Sequence, residues 1–176
     1  MPGVPVASVG NLDTYGVLTG IEGDQRIEAL DYFSRIYSPA MGRGPVEDYL
    51  SQTGMDALKG ADILNTAPQK YSSTVEYGSS SVAQYMRNIA QVHLADLGCR
   101  VLYTTAPYNS FDTHGGEMVA HAGLWTDVSQ TVSDFYDDLK EHNASDNVVI
   151  LLFTEFGRRV RDNGSGTDHG SGGVAL

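Results

Sequence analysis

One cysteine, one tryptophan and six prolines are spread over the 176 residues of this chain, and basic side chains are scarce. Cys99 is the lone cysteine, so no internal disulfide can form, and cysteine usage leaves the redox compartment open. Lys and Arg number 11 against 22 Asp and Glu, a formal charge of −11. The phosphates of a nucleic acid would be repelled, which excludes that class of partner. No apolar run reaches the ~18 residues of a membrane-spanning helix. The opening stretch MPGVPVASVG has neither the basic start nor the apolar stretch of a secretory signal. The length fits one domain with a sizeable core.

What is present is organised from the end of the chain backwards. Residues 1–24 are Gly-rich, Pro-punctuated and irregular. Ile27, Leu30, Phe33 or Ser34, and Tyr37 fall at helical spacing between Gln25 and Tyr37. A second helix is expected from Val46 to Ile63, interrupted near Gly54. Ser79 to Ser81 offer N-cap hydroxyls for a helix whose face is Val82, Tyr85, Met86, Ile89 and Val92, closed near Gly98. Arg100 to Thr105 reads as a short strand. Met118 to Glu141 reads as a long helix with the stripe Trp125, Val128, Val132, Phe135 and Leu139. Asn147 to Phe153, NVVILLF, is a continuous apolar run of the kind that marks a strand buried on both faces. Strand, helix, strand implies a βαβ unit with parallel strands and a right-handed crossover, hence an α/β layered fold.

In that topology the loops after both strands emerge on one sheet edge, where sites of open α/β sheets form. Asp112 and His114, in NSFDTHGGE, follow the first strand; Glu155, in TEFGR, follows the second. A short Gly-rich loop later come Asp168 and His169, in GTDHG. Three carboxylates and two imidazoles make a hard-to-borderline donor set for a divalent cation, which would activate a nucleophile and stabilise an anionic transition state. Each element also has a plainer use. Asp-x-His serves as a turn device, Glu155 can pair with Arg158 or Arg159, and GTDHG can be an Asx-turn. Arg158 and Arg159, with Arg161, suit a phosphate or sulfate clamp or simple surface charge. His121 is a reserve ligand, His93 a packing or rim histidine, and His142 sits where a helix C-terminus favours positive charge.

The segments FDTHGGE, DFYDDLKEH, VVILLFTEFGRRVRDNGSGTDHG and YGSSSVAQYMRNIAQVHLADLGCRVLY together resemble the bacterial domain of unknown function 1501 family, from about Tyr77 to the end. The pairing of EFGRR with GTDHG is the specific part. The resemblance implies the alkaline phosphatase and sulfatase superfamily, with a three-layer α/β/α sandwich, a mostly parallel sheet and a two-metal site for phosphate or sulfate esters. It also implies a periplasmic or otherwise exported protein. By position, Asp112 and His114 look like the superfamily's Asp-His ligand pair, with His121 as the substitute where spacing differs. Glu155 stands at the next ligand pair, where Phe156 replaces a His, and His169 with Asp168 resembles the later ligand histidine.

No counterpart of the superfamily's first metal Asp or nucleophilic Ser or Thr is present. Val174 to Leu176 read as the opening of a further strand. The expectation is therefore one incomplete alkaline-phosphatase-like domain over residues 1–176, inactive alone. Its intact form would be a metal-dependent hydrolase, with zinc, manganese, magnesium or calcium, acting on a small-molecule or glycan ester. The alternative is a non-catalytic exported module that the metal stabilises.

Overall fold

A computed structural model of the chain describes residues 7–16, 20–38, 42–106, 110–173 and 175–176. Among these residues the helices are α1 (Gly23–Tyr37), α2 (Pro45–Leu64), α3 (Ala67–Lys70), α4 (Ser81–Leu94) and α5 (Glu117–Glu141). The described sheet has two antiparallel strands, β1 (Gly157–Asp162) and β2 (Thr167–Gly170). Two compact units result: residues 1–71 with 91–99, and residues 72–90 with 100–176. No described helix is long and apolar enough to cross a membrane.

In the first unit, α1 and α2 pack together. Phe33 and Tyr37, one turn apart, bring their rings to 4.5 Å, and Arg26 reaches Asp62 at 3.9 Å. Ser51, Leu58 and Ala61 are buried on α2, and with Gly54 they trace one helical stripe. The helix runs unbroken through Gly54. A methyl group there would meet the Tyr37 ring at 2.6 Å, so the missing side chain admits the aromatic ring instead of ending the helix. Ile27 departs from the expected stripe and is 68% exposed.

The second unit is built around α5. Phe135 and Leu139 are buried as their spacing requires, whereas Trp125 is 40% exposed. Ser80 caps α4, its hydroxyl accepting the Ala83 N–H at 3.3 Å and donating to Asp127 at 2.8 Å. The C-terminal end of α5 is tied to the segment before α4. Glu141 accepts from the Thr74 N–H and hydroxyl and from the Ser73 hydroxyl, and Tyr77 donates to fully buried Asp138 at 2.8 Å. His142, the C-cap, meets the Asp138 carbonyl through Nδ1 at 2.8 Å and the Ser72 carbonyl through Nε2 at 2.9 Å. Carbonyls only accept, so the ring satisfies both as a two-proton imidazolium.

The mostly parallel α/β/α sandwich is not what the chain forms. Arg100–Thr105 and Asn147–Phe153 belong to no sheet among the described residues, and the described strands form a hairpin further on. Leu152 exchanges backbone hydrogen bonds with Leu176 at 2.8 and 3.1 Å, while Val149, Leu151 and Phe153 are 94%, 66% and 73% exposed. Local turn chemistry prevails over remote pairing. A βαβ pair must close across a 25-residue helix, whereas the Asn163–Gly166 turn folds its flanking residues back at once. Val174, expected to open a further strand, lies outside the described residues.

Two outcomes test this packing. Gly54→Ala should lower the denaturation midpoint although it gains about 1 kcal/mol of helix propensity; in a Tyr37→Ala background the same change should raise it. His142 is held above its ordinary pKa, first by the Asp138 carbonyl, then by the Ser72 carbonyl and the Asp138 and Glu141 carboxylates, against partial desolvation. A raised folded-state pKa gives stability that is fully present below the unfolded value and lost as pH rises through the folded one. Urea midpoints should therefore fall as pH climbs beyond about 6.5, and His142→Gln should flatten that slope.

Candidate metal centre

The loop before α5 and the β1–β2 hairpin form the site, and local sequence explains both. Gly116 sits at φ +62° as the N-cap of α5, a left-handed position that glycine adopts without strain. It turns the chain from Asp112–His114 into the helix. The hairpin closes through Asn163, whose side-chain oxygen accepts the Ser165 and Gly166 N–H groups at 3.1 and 2.9 Å. Asp162 accepts the Gly164 N–H. A methyl group at Gly166 would meet Glu117 Cβ at 2.9 Å and the His114 carbonyl at 3.0 Å, so glycine lets the turn reach the helix start.

Glu117 fastens the two pieces. Its carboxylate accepts the Thr167 N–H at 2.6 Å and hydroxyl at 2.8 Å, with Arg158 Nε at 3.8 Å. Gly116 donates to the Ser165 hydroxyl at 2.9 Å. Arg158 donates to the Thr167 carbonyl at 2.5 Å and to the Phe111 carbonyl at 2.8 Å. The Thr167 hydroxyl and N–H hold the Glu117 carboxyl below the usual carboxylate range, the charge of Arg158 adding to them against desolvation.

On this base, Asp112, His114 and His169 come together, each offering a ligand atom within 4.8 Å of the others. His169 Nε2 lies 2.7 Å from Asp112 Oδ1 and His114 Nε2 lies 3.1 Å from the same oxygen. Phe156 stacks on the His169 ring at 4.1 Å and 19°, and Arg159 donates to the His169 carbonyl at 3.1 Å. Asp112 is held below the usual carboxylate range, chiefly by the His169 hydrogen bond and also by the charge and hydrogen bond of His114.

The other expected residues fall differently. Asp168 stands outside the three-residue group; its Oδ1 is 3.6 Å from His114 Nδ1 and accepts from Asn163 at 3.1 Å. Its carboxyl is lowered, first by Asn163 and then by His114 and Arg159. Glu155 is exposed and contributes no atom to the group. Arg158 is engaged by Glu117 and two carbonyls, and Arg159 remains exposed beside His169. His121 stands 3.9 Å from Glu117, edge-on to Phe111 at 5.7 Å, and its Nε2 is buried without a hydrogen-bond partner among the described residues. The sequence reading missed Glu117 and Asn163. Asn163-Gly164, the strongest short hairpin signal, pointed to the second.

A family model described as "Protein of unknown function (DUF1501)" matches residues 47–176, and the chain belongs to that family. No curated protein and no solved structure matches it.

If Glu117 is the fastener, Glu117→Ala should speed hydrogen exchange at the Thr167 amide and through β1–β2, leaving the Ala83 amide of α4 unchanged. A carboxyl with a depressed folded-state pKa contributes stability above its unfolded value that is lost as pH falls through the folded one. In the unaltered chain, protection at Thr167 should accordingly fade on acidification.

Proposed function

We propose that Asp112, His114 and His169 hold one divalent cation and that the full-length protein hydrolyses phosphate or sulfate esters with it. The observation that carries this reading is the meeting of one carboxylate and two imidazoles, from segments 57 residues apart, within 4.8 Å. Ligand distances of about 2.0–2.2 Å allow ligand atoms to stand roughly 4 Å apart, so small side-chain rotations close this group on an ion. Two imidazoles favour zinc over calcium, magnesium and manganese, which prefer oxygen ligands. Three protein ligands leave a coordination position open, the pattern of catalytic sites.

A bound cation would supply Lewis acidity at the ester oxygens. The chain's own residues do the rest. Exposure of His114 and His169 at 48% and 45% of their side chains leaves an approach for a small-molecule or glycan ester. Arg159, exposed beside His169 with its Nε on the His169 carbonyl, would offer its terminal N–H groups to the non-bridging oxygens, whereas the Arg158 donors already serve the hairpin. Hydrolysis then adds water across the ester, the hydroxyl going to phosphorus or sulfur and the proton to the departing alcohol.

A non-catalytic module stabilised by the same ion is the second reading. The engagement of Arg158 favours it, since a dedicated anion clamp would keep that guanidinium open.

Metal analysis and calorimetry with zinc and manganese should give one ion per chain. Chelator should lower the melting temperature, because binding to the folded state stabilises by mass action. His169→Ala should abolish that response, and His142→Ala should retain it. Metal-dependent turnover of aryl phosphate or aryl sulfate supports the hydrolase; a chelator-sensitive melt without turnover supports the module. A melt indifferent to chelator, with no bound ion, removes both.

A further inference from the structure

Resting on that metal reading, we infer that Asp168, gripped by Asn163, is a positioning residue that aims His114 at the cation, and is not itself a ligand.

The two ring nitrogens of His114 face two different carboxylates. Nε2 lies 3.1 Å from Asp112, inside the ligand group, while Nδ1 lies 3.6 Å from Asp168, outside it. An imidazole that gives the Nε2 lone pair to a metal carries its proton on Nδ1, and such rings commonly donate that proton to a carboxylate, which fixes ring orientation and raises ligand basicity. Asp168 lies on that side of the ring at 3.6 Å, a short movement from hydrogen-bond distance.

Its own position is determined. The Asn163 amide nitrogen donates to Asp168 Oδ1 at 3.1 Å and to the His114 carbonyl at 3.0 Å, so one side chain fixes both the acceptor and the backbone of the ring it serves. The Asn163 oxygen meanwhile closes the hairpin turn by accepting two N–H groups. The turn that brings His169 to the site thus also orients His114. A residue recruited as a fourth ligand would present an oxygen to the common point of the other three, whereas Asp168 sets its Oδ1 nearest Nδ1 of His114 and stands outside the group.

The test is titration of the full chain with zinc and with cobalt(II), whose visible absorption reports the ligand set. Asp168→Asn should weaken zinc binding 10- to 100-fold, the usual effect of losing an outer carboxylate, with cobalt band positions unchanged. Asp112→Asn, which removes a ligand, should shift those bands. Asn163→Asp retains the turn-closing oxygen and loses the donor; it too should weaken zinc binding, with the melting temperature of the metal-free chain reporting that the fold is intact. Wild-type zinc affinity in Asp168→Asn overturns the inference, as does a cobalt spectrum that moves with Asp168→Asn as it does with Asp112→Asn. Absence of any ion bound to the unaltered chain overturns the metal reading, and the inference with it.

Discussion

The carboxylate of Glu117 is the constraint on which the site depends. An isolated two-stranded hairpin is marginal in water, and β1–β2 spans only six and four residues. Glu117 accepts both the backbone N–H and the hydroxyl of Thr167, hydrogen bonds to an ionised group that are stronger than neutral ones. Arg158 then bridges Glu117, the Thr167 carbonyl and the Phe111 carbonyl, so the hairpin is held to the helix start and to the loop ahead of it. Together with the Gly116–Ser165 and Asn163–His114 bonds, that hold sets His169, two residues beyond Thr167, against Asp112. Thr167 sets the position and His169 inherits it.

At the centre, a proton holds the place that the proposed metal ion would take. An ionised carboxylate only accepts, so in the ion-free chain His169 Nε2 donates to Asp112, and that bond is the main reason the Asp112 carboxyl is depressed. Ligation of the proposed cation at the same nitrogen would require the Nδ1–H form of the ring, and because a doubly protonated imidazole has no lone pair to give, such binding would weaken on acidification. The net charge of −11 acts in the same direction as the donors, raising the local concentration of cations at a site open to solvent.

How much of this was legible follows from which signals were local. Helical spacing and capping residues located α1, α2, α4 and α5 closely, because burial of one face and the Ser80 cap are properties of neighbouring residues. The sheet was misread. NVVILLF has the composition of a strand buried on both faces, but such a run demands neighbours that its own residues do not specify, and Val149 and Phe153 are exposed here. The meeting of Asp112, His114 and His169 was anticipated by a route the chain does not take. It comes from a hairpin folding back onto a helix start, not from parallel strands sharing an edge. Glu155 was included because that edge and the family resemblance both put it there, and it contributes no atom to the group. Glu117 was invisible as a clamp because an acidic residue at a helix start already has a local explanation in the helix dipole.

One element carries both of the second unit's polar networks, which explains why they can act independently. The 25 residues of α5 make a rod of ~37 Å at about 1.5 Å per residue. Glu117 stands at its first turn, where the helix dipole favours negative charge, and His142 at its C-cap, where it favours positive charge and where Asp138 and Glu141 stand beside it. At one end Glu117 holds the hairpin and the ligand loop; at the other, Glu141, Asp138 and His142 hold residues 72–77. Direct Coulomb interaction over that separation is screened, since the Debye length at physiological salt is about 8 Å. Deprotonating His142 thus loosens the anchoring of the Ser72 segment without altering the charge felt by Asp112. The rod joins the two ends, and its buried residues, Thr131, Phe135, Asp138 and Leu139, all fall in its C-terminal half, on the side of the His142 network.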